Sequence, residues 1–341
     1  MLTLLAQIAP QRSTQYAALA DALAAHELTL CPLGAHITAM TPVRQGGQNY
    51  LKCALSLTRL SHAHRRELGQ LAMTSAFFIY YEKLGRIAGP LLRPIETEFE
   101  PPFAADLTMT RRYRGKTNEL FTHFMCNIAR FSSALSHRPW RTLRVFDPLS
   151  GGGTTLFTAM VLGADVAGVE RSAQDVKSTV AFLKQYLRGR KYEVKKERLK
   201  KIGARWSFTI DAPQSAKRCI LACGDTVESA ALISGFRPHL IVADLPYGIQ
   251  HQGQLPTLLA QALPVWASLL PPSGAMTLAW ESKRFPRREM IALVESAGPL
   301  RVLNHPPYDA LAHRVDRVIK QRDVLVARPA EAVEREMANV P

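Results

Sequence analysis

Apolar and polar positions in the second half of the chain follow two alternating patterns. Short apolar runs, many of them rich in β-branched residues, are followed by longer segments whose apolar positions recur at helical spacing. The short runs are typical of strands buried on both faces, and the segments between them are typical of crossover helices. We therefore predict a doubly wound, Rossmann-like α/β domain with a parallel sheet. The predicted strands are residues 143–146, 166–169, 219–222, 240–243 and 275–280, with an edge strand at 324–327.

The first third of the chain has a different pattern, which predicts a smaller α+β module. Its predicted elements are a helix at 14–26, a strand at 49–57, a basic amphipathic helix at 60–73 and an aromatic strand at 75–81. Residues 90–102 contain four prolines, which break regular structure and are typical of a linker. We therefore divide the chain into an N-terminal module at 1–105, which we expect to bind RNA or position the substrate, a main domain at 106–330 and a C-terminal tail at 331–341.

The charge balance indicates a polyanionic partner. The 341 residues include 43 Lys and Arg against 28 Asp and Glu, a formal net charge of +15. Such an excess favours nucleic acid, because basic side chains that contact phosphates release counterions. Ten of the basic residues and only two acidic ones lie within residues 184–205. We expect this stretch to be helical and to contact nucleic acid; the alternative is a solvated helix face.

Several classes of protein are excluded or disfavoured at this point. The longest aromatic-rich apolar stretch, near 71–81, has about 11 residues, against the roughly 20 that cross a bilayer, so we expect no membrane association. The N-terminus lacks the features of a signal peptide, which predicts a cytoplasmic location. The five cysteines form no C-x-x-C pair, and we predict neither disulfides nor a metal site.

The first candidate site is a glycine turn at residues 145–155, with the sequence VFDPLSGGGTT. A dinucleotide-binding turn would have a third glycine three residues after Gly153, where Leu156 stands. A phosphate-binding P-loop would have a glycine in place of Thr110, ahead of the chain's one Gly-Lys-Thr. The residue types therefore disfavour both NAD and ATP.

A different nucleoside ligand agrees better with the acidic residues around this turn. Asp147 precedes the glycines and Glu170 ends the next predicted strand, where its carboxylate could accept both hydroxyls of a ribose. S-adenosylmethionine (SAM) has a ribose diol and a cationic amino-acid end, and no pyrophosphate. The alternative is a purely structural strand-to-helix turn.

The second candidate site is the tetrapeptide Asp244-Leu245-Pro246-Tyr247, directly after the apolar strand at 240–243. In a doubly wound fold this strand end borders the same crevice as the glycine turn. Asp244 and the carbonyl of residue 245 could accept the N–H groups of an exocyclic base amine and stabilise the charge that the nitrogen develops on methylation. Pro246 would stiffen the loop and Tyr247 would stack on a flipped base. The alternative is a capped, packed turn.

Two further segments are weaker candidates. Asp225 follows the strand at 219–222 and could accept from an adenine amino group, although a helix N-cap explains it nearly as well. The segment 111–118, which includes Arg114, Lys116, Thr117 and Asn118, leads into an amphipathic helix at 119–129. We expect it to close over the cofactor or to contact substrate phosphates; the alternative is an ordinary helix start.

Taken in order, these motifs resemble the class I SAM-dependent amino-methyltransferases, and most closely the tRNA guanine-N2 methyltransferase-like family associated with THUMP domains. The resemblance covers about residues 110–328 and includes the Gly-Lys-Thr-Asn lead-in at 115–118 and the final HRVDRVIKQRDVLVAR. It implies a seven-stranded sheet with one antiparallel hairpin. It assigns substrate amine binding and catalysis to Asp244, Leu245, Pro246 and Tyr247. It assigns cofactor binding to Asp147, Pro148, Ser150, Gly151, Gly153, Thr154, Glu170 and Asp225.

The chain departs from the family pattern in three places. Leu245 replaces a common proline, Ser150 replaces a frequent cysteine, and no THUMP module is recognisable in residues 1–105. The first two departures leave the chemistry intact, because position 245 would contribute a backbone carbonyl and position 150 a small turn residue. The third departure leaves the substrate undetermined, because the appended domain normally selects it.

These observations predict SAM-dependent N-methylation of an exocyclic base amine in RNA, with guanine N2 of tRNA as the expected target. One alternative is a DNA adenine or cytosine amino-methyltransferase, which would use the same tetrapeptide. Methylation of a glutamine side chain is disfavoured by the basic charge. A further alternative is a nucleic-acid-binding protein with a decayed cofactor site.

Overall fold

A computed structural model of the chain describes residues 2–10, 16, 18–111, 113, 116–246, 255–315 and 320–338. The described chain divides into two compact units. The first is made of Met1–Glu100 and Pro306–Arg322, and the second of Pro101–His305 and Asp323–Pro341. No helix among the described residues is long and apolar enough to cross a bilayer.

The first unit is built on a five-stranded antiparallel sheet in the order β2-β3-β1-β4-β5. The central strand, β1, was not predicted from the sequence. The elements of this unit are β1 (Leu2–Ile8), α1 (Leu19–Leu30), β2 (Ile37–Gln45), β3 (Gln48–Leu55), α2 (His62–Leu68), β4 (Thr74–Leu84) and β5 (Ile87–Pro94). The predicted linker thus begins as a strand, which tolerates proline because β5 lies at the sheet edge.

The second unit is a mixed sheet with helices on both faces. Its helices are α3 (Asp106–Met109), α4 (Glu119–Phe131), α5 (Thr154–Leu162), α6 (Ala173–Tyr186), α7 (Ser229–Leu232), α8 (Leu255–Leu269) and α9 (Arg287–Ser296). Its strands are β6 (Arg144–Asp147), β7 (Asp165–Glu170), β8 (Tyr192–Leu199), β9 (Gly203–Ile210), β10 (Lys217–Gly224), β11 (Leu240–Asp244), β12 (Ala275–Glu281) and β13 (Leu300–Leu303).

The chain after β13 leaves the second unit and then returns to it. Residues Pro306–Arg322 belong to the first unit and include the short β14 (His313–Arg314). The return is made by β15 (Gln321–Pro329), which pairs antiparallel with β13, and α10 (Ala330–Ala338) follows. The sequence division at residue 105 did not include this excursion.

The large sheet has the order β13-β15-β12-β11-β6-β7-β10-β9-β8, with β14 paired to β15, and so has ten strands among the described residues. Strands β12, β11, β6, β7 and β10 are parallel. Consecutive residues of the central strands are buried, as in a sheet covered on both faces. The doubly wound α/β class is confirmed. The resemblance implied seven strands and the described sheet has ten: β8 and β9 extend it beyond β10, and β14 pairs with β15.

The helical prediction for residues 184–205 is wrong. Helix α6 ends at Tyr186, and Gly189 then adopts a φ of 86° that a continuing helix does not allow. From Tyr192 onward the stretch belongs to the β8–β9 hairpin, which extends the sheet beyond β10.

Candidate functional site

Strands β6, β7, β10 and β11 run parallel, so their carboxyl ends meet at one edge of the large sheet. A cleft of about 780 Å³ opens at this edge. It brings together the turn after β6 and the residues Asp244, Leu245 and Pro246 at the end of β11. Its described lining residues are Tyr113, Thr117, 147–152, Thr154, Thr155, 169–171, 224–226, 244–246, Leu255, Thr257, Leu258 and Gln261.

The turn after β6 is fixed by its own backbone. Gly153 adopts a φ of 89° and donates to the carbonyl of Ser150 at 2.7 Å, so the chain reverses directly into α5. Gly151 has a φ of 47°, a left-handed conformation that favours glycine, and open space where a side chain would lie. Ser150 donates to the carbonyl of Val169, which holds the turn against β7. A ligand can therefore approach this backbone closely.

Asp147 is a buried carboxyl group at the end of β6. Its Oδ1 accepts the amide N–H of Leu149 at 3.0 Å, which orients the side chain within the turn. Burial raises the pKa of Asp147 to about 7, and the charges of Asp244 and Glu170 contribute in the same direction; hydrogen bonds from Thr155 and Leu149 oppose the rise. This carboxyl group would be stabilised in its charged form by a cationic ligand.

Glu170 at the end of β7 connects the glycine turn to the next helix. One of its carboxylate oxygens accepts the amide N–H of Gly151 at 3.0 Å, and the other accepts that of Ser172 at 2.6 Å. Each carboxylate oxygen has a further lone pair for a ligand hydroxyl. The side chain lines the cleft where the sequence placed a diol acceptor.

Asp225 caps a helix and lines the cleft, and its role as acceptor for an adenine amino group stays a prediction. Its carboxylate accepts the amide N–H of Val227 at 3.1 Å, which caps a short 3₁₀ helix, and the residue also lines the cleft beside Gly224.

Asp244 ends β11 and lies in the cleft. The hydroxyl of Thr117 donates to its Oδ2 at 2.5 Å, which fixes one side of the carboxylate. Leu245 is fully buried in the core and donates its amide N–H to Ala279 at 2.8 Å, and Pro246 lines the cleft. Tyr247 is outside the described residues, so its stacking role stays a prediction.

The lead-in segment contributes less to the cleft than its four candidates suggested. Arg114 is outside the described residues. Lys116 forms an ion pair with Glu119 and donates to the carbonyl of Thr108 at 2.6 Å. Asn118 caps α4 by accepting the amide N–H of Phe121 at 3.0 Å. Of the candidates in this segment that the structure describes, Thr117 is the one that lines the cleft.

Arg111 and Tyr113, at the start of this segment, cover the glycine turn; they lie in the predicted segment 111–118 but were not named individually as site residues. The Tyr113 ring lies against Gly152, where any side chain would overlap it, and its hydroxyl hydrogen-bonds Thr154. Arg111 stacks over the Tyr113 ring with its guanidinium carbon 5.1 Å from the ring centre, and it donates to the carbonyl of Gly152. The sequence signal that could have indicated these two residues is a tyrosine beside arginines, just ahead of the Gly-Lys-Thr.

The cleft carries a negative charge. Four carboxyl groups line it, from Asp147, Glu170, Asp225 and Asp244, and Arg171 is the one cationic side chain among the described lining residues. Carboxylates this close together favour a positively charged ligand and disfavour phosphates.

Comparison with known proteins gives likenesses in fold. No protein-family model matches the chain, and no curated protein is significantly similar to it in sequence. The crystal structure of TrmN from Thermus thermophilus is 13% identical, with a TM-score of 0.46 over 96% of this chain and 100% of that one.

Two further structures are examples of the same likeness. The 16S rRNA N2 methyltransferase RsmC of T. thermophilus, solved with AdoMet and guanosine, is 15% identical, with a TM-score of 0.37 over 92% of this chain and 62% of that one. A SAM-dependent methyltransferase from Agrobacterium tumefaciens is 20% identical, with a TM-score of 0.36 over 64% of each chain. The strand order itself gives the fold class. The chain has the Rossmann-like fold that the resemblance implies.

Proposed function

We propose that this chain is a SAM-dependent methyltransferase that modifies an exocyclic amine of a base in RNA. One observation carries the proposal: Asp244 lies in the same cleft as the glycine turn after β6. A methyl donor held by the turn would then be within reach of an amine held by Asp244. Guanine N2 of a tRNA in the cytoplasm is the target that the family resemblance favours.

The cleft agrees in charge and shape with SAM. The sulfonium and ammonium groups would be stabilised by the carboxylates, above all by the buried Asp147. The open space at Gly151 lets the ligand approach the turn, while Glu170 would accept the ribose hydroxyls and Asp225 would bind the adenine edge. When bound, SAM supplies an electrophilic methyl group.

Asp244 would prepare the amine for attack. An exocyclic amine is a poor nucleophile, because its lone pair is delocalised into the base. The Asp244 carboxylate would accept one N–H and the carbonyl of residue 245 the other, which draws the nitrogen towards tetrahedral geometry and stabilises its developing positive charge. Thr117 orients the carboxylate through its hydrogen bond. Asp244 would then accept the proton that the nitrogen releases.

The polyanion contact would come from basic surfaces outside the cleft. The chain has an excess of 15 positive charges, whereas the cleft is acidic, so the two functions are separated on the surface. The N-terminal unit, which contains none of the described cleft-lining residues, is our proposed substrate-positioning module.

The test is transfer of a tritiated methyl group from SAM to an unmodified tRNA transcript, followed by mass spectrometry of the nucleosides. We expect Asp244→Asn to lower the rate at least about a hundredfold while SAM affinity is kept, because the amide has neither the negative charge that stabilises the transition state nor the basicity to accept the proton. Asp211→Asn is the matched control, since Asp211 is an exposed carboxylate just after β9.

Three results would contradict the proposal. An unchanged rate of methyl transfer in Asp244→Asn would contradict the proposed role of Asp244 in preparing the amine. A methylated adenine or cytosine in duplex DNA, with no product in RNA, would favour the DNA enzyme. Binding of RNA with neither SAM binding nor methyl transfer would favour a non-catalytic binding protein.

A further inference from the structure

The β8–β9 hairpin brings the most basic part of the chain to the edge of the sheet where the cleft opens. Strand β9 runs antiparallel to β10, and Gly203 at its start pairs with Gly224 at the end of β10. Gly224 lines the cleft. The turn that joins β8 to β9, residues 200–202, therefore lies at the carboxyl edge of the sheet, next to the cleft wall.

The hairpin turn is anchored to the body of the unit. Leu199, just before the turn, and Ile202, its last residue, pack against the hydrophobic core, and Ile202 donates its amide N–H to the carbonyl of Leu199 at 3.2 Å. Gly203 passes so close to Cys223 that any side chain there would collide with its carbonyl oxygen. The turn is thus held in a fixed position relative to the cleft.

The side chains that this anchored turn presents are basic and exposed. We call Arg198, Lys200 and Lys201 the hairpin tip; all three are exposed. Nearby, Glu197 pairs with Arg205, with its Oε2 2.8 Å from Nε, so an acidic charge of the hairpin is already neutralised.

The face of the hairpin behind the tip continues the same surface. Lys196 pairs in register with Trp206 and places its ammonium 5.3 Å from the indole ring centre. Lys177 of α6 is exposed and lies close enough to Cys223, next to the start of β9, for its charge to oppose the rise that burial causes in the pKa of that thiol. Positive charge therefore extends from the hairpin to the helix beside the acidic cleft.

We infer that the hairpin tip binds the phosphate backbone of the RNA strand whose base enters the cleft. This inference rests on the proposed function. A strand that delivers a base to an acidic cleft must lay its phosphates outside that cleft, and the tip offers positive charge at its rim. An anchored basic turn also loses little conformational freedom on binding.

The experiment measures fluorescence anisotropy of an end-labelled, unmodified tRNA transcript bound to the full chain across a salt series. Arg198→Glu combined with Lys200→Glu should weaken binding at least about tenfold. The negative slope of the logarithm of the association constant against the logarithm of the salt concentration should become shallower by roughly 1.5, because two phosphate contacts are lost. SAM affinity by calorimetry should be unchanged, and this measurement also shows that the variant is folded.

The matched control is Arg138→Glu combined with Arg141→Glu, which changes the net charge equally. Both arginines are exposed and precede β6, at the amino edge of the sheet. We expect this variant to keep wild-type affinity and salt slope. Equal weakening in both variants, or an unchanged slope in the tip variant, would overturn the inference.

The two proposals fail in different ways. If the wild-type chain methylates RNA but the tip variant binds tRNA as tightly as the wild type does, only the inference about the tip is overturned. A wild-type chain that binds tRNA through the tip but does not bind SAM supports the tip and overturns the methyltransferase. A chain that binds duplex DNA and not tRNA overturns both.

Discussion

At the scale of single residues, Asp147 has the most unusual environment in the cleft. It is 3% exposed, and burial raises the pKa of its carboxyl group to about 7, against an ordinary value of 3.8. The folded chain therefore retains a proton that the unfolded chain releases between these two values. In this range the contribution of Asp147 to the free energy of unfolding decreases as pH rises.

This linkage predicts a pH-dependent difference between the wild type and Asp147→Asn. Between pH 5 and pH 8 the ligand-free wild type should lose on the order of 3 kcal/mol more unfolding free energy than the variant, since Asn does not ionise. Urea unfolding of both proteins at the two pH values measures the difference. Parallel pH profiles would show that Asp147 is not a buried titrating group.

The sequence alone indicated which carboxylates border the cleft, because each follows an apolar run and parallel strands end at one edge. Asp147, Glu170, Asp225 and Asp244 were all found in this way. The contacts of Arg111 could not be found, because a guanidinium that reaches back across a turn leaves no periodic signal.

At the scale of elements, the glycine turn and the segment that covers it act together. Gly152 is in contact with the Tyr113 ring, and Tyr113 is held in turn by Arg111 and Thr154. The small residue at position 152 is thus required by packing against another segment.

A double-mutant cycle tests this packing. Gly152→Ala should lower the free energy of unfolding by about 1–3 kcal/mol, because the added methyl group overlaps the Tyr113 ring. In a Tyr113→Ala background the same change should cost less than about 0.5 kcal/mol, since the obstacle is gone. Urea unfolding of the four proteins gives the coupling. Equal costs in both backgrounds would contradict the contact.

Elements with buried apolar residues were predicted correctly from the sequence, whereas the elements of the highly charged stretch were not. The five parallel strands were found from apolar runs alone. Residues 184–205 were expected to be helical, because ten basic residues obscured the alternation of Tyr192 and Val194 with polar neighbours. The prolines near residue 90 suggested a linker, although an edge strand also accommodates them.

At the scale of the whole molecule, charge is divided between an acidic cleft and a basic exterior. The net charge of +15 coexists with four cleft carboxylates and one cleft arginine among the described residues. In the proposed function, this division would separate the binding of a cationic cofactor from the binding of a polyanion. The excursion of residues 306–322 into the first unit depends on contacts distant in sequence, which explains why no local pattern indicated it.

The central claim is that the cleft at the ends of β6, β7, β10 and β11 binds SAM, and calorimetric titration of the full chain with SAM tests it most directly. We predict one site per chain and a loss of affinity of at least about tenfold in Glu170→Ala, whose carboxylate would no longer accept the ribose hydroxyls. The exposed Glu193→Ala, on the β8–β9 hairpin, should bind SAM as the wild type does. No heat from the wild type, or equal affinity in Glu170→Ala, would contradict the account.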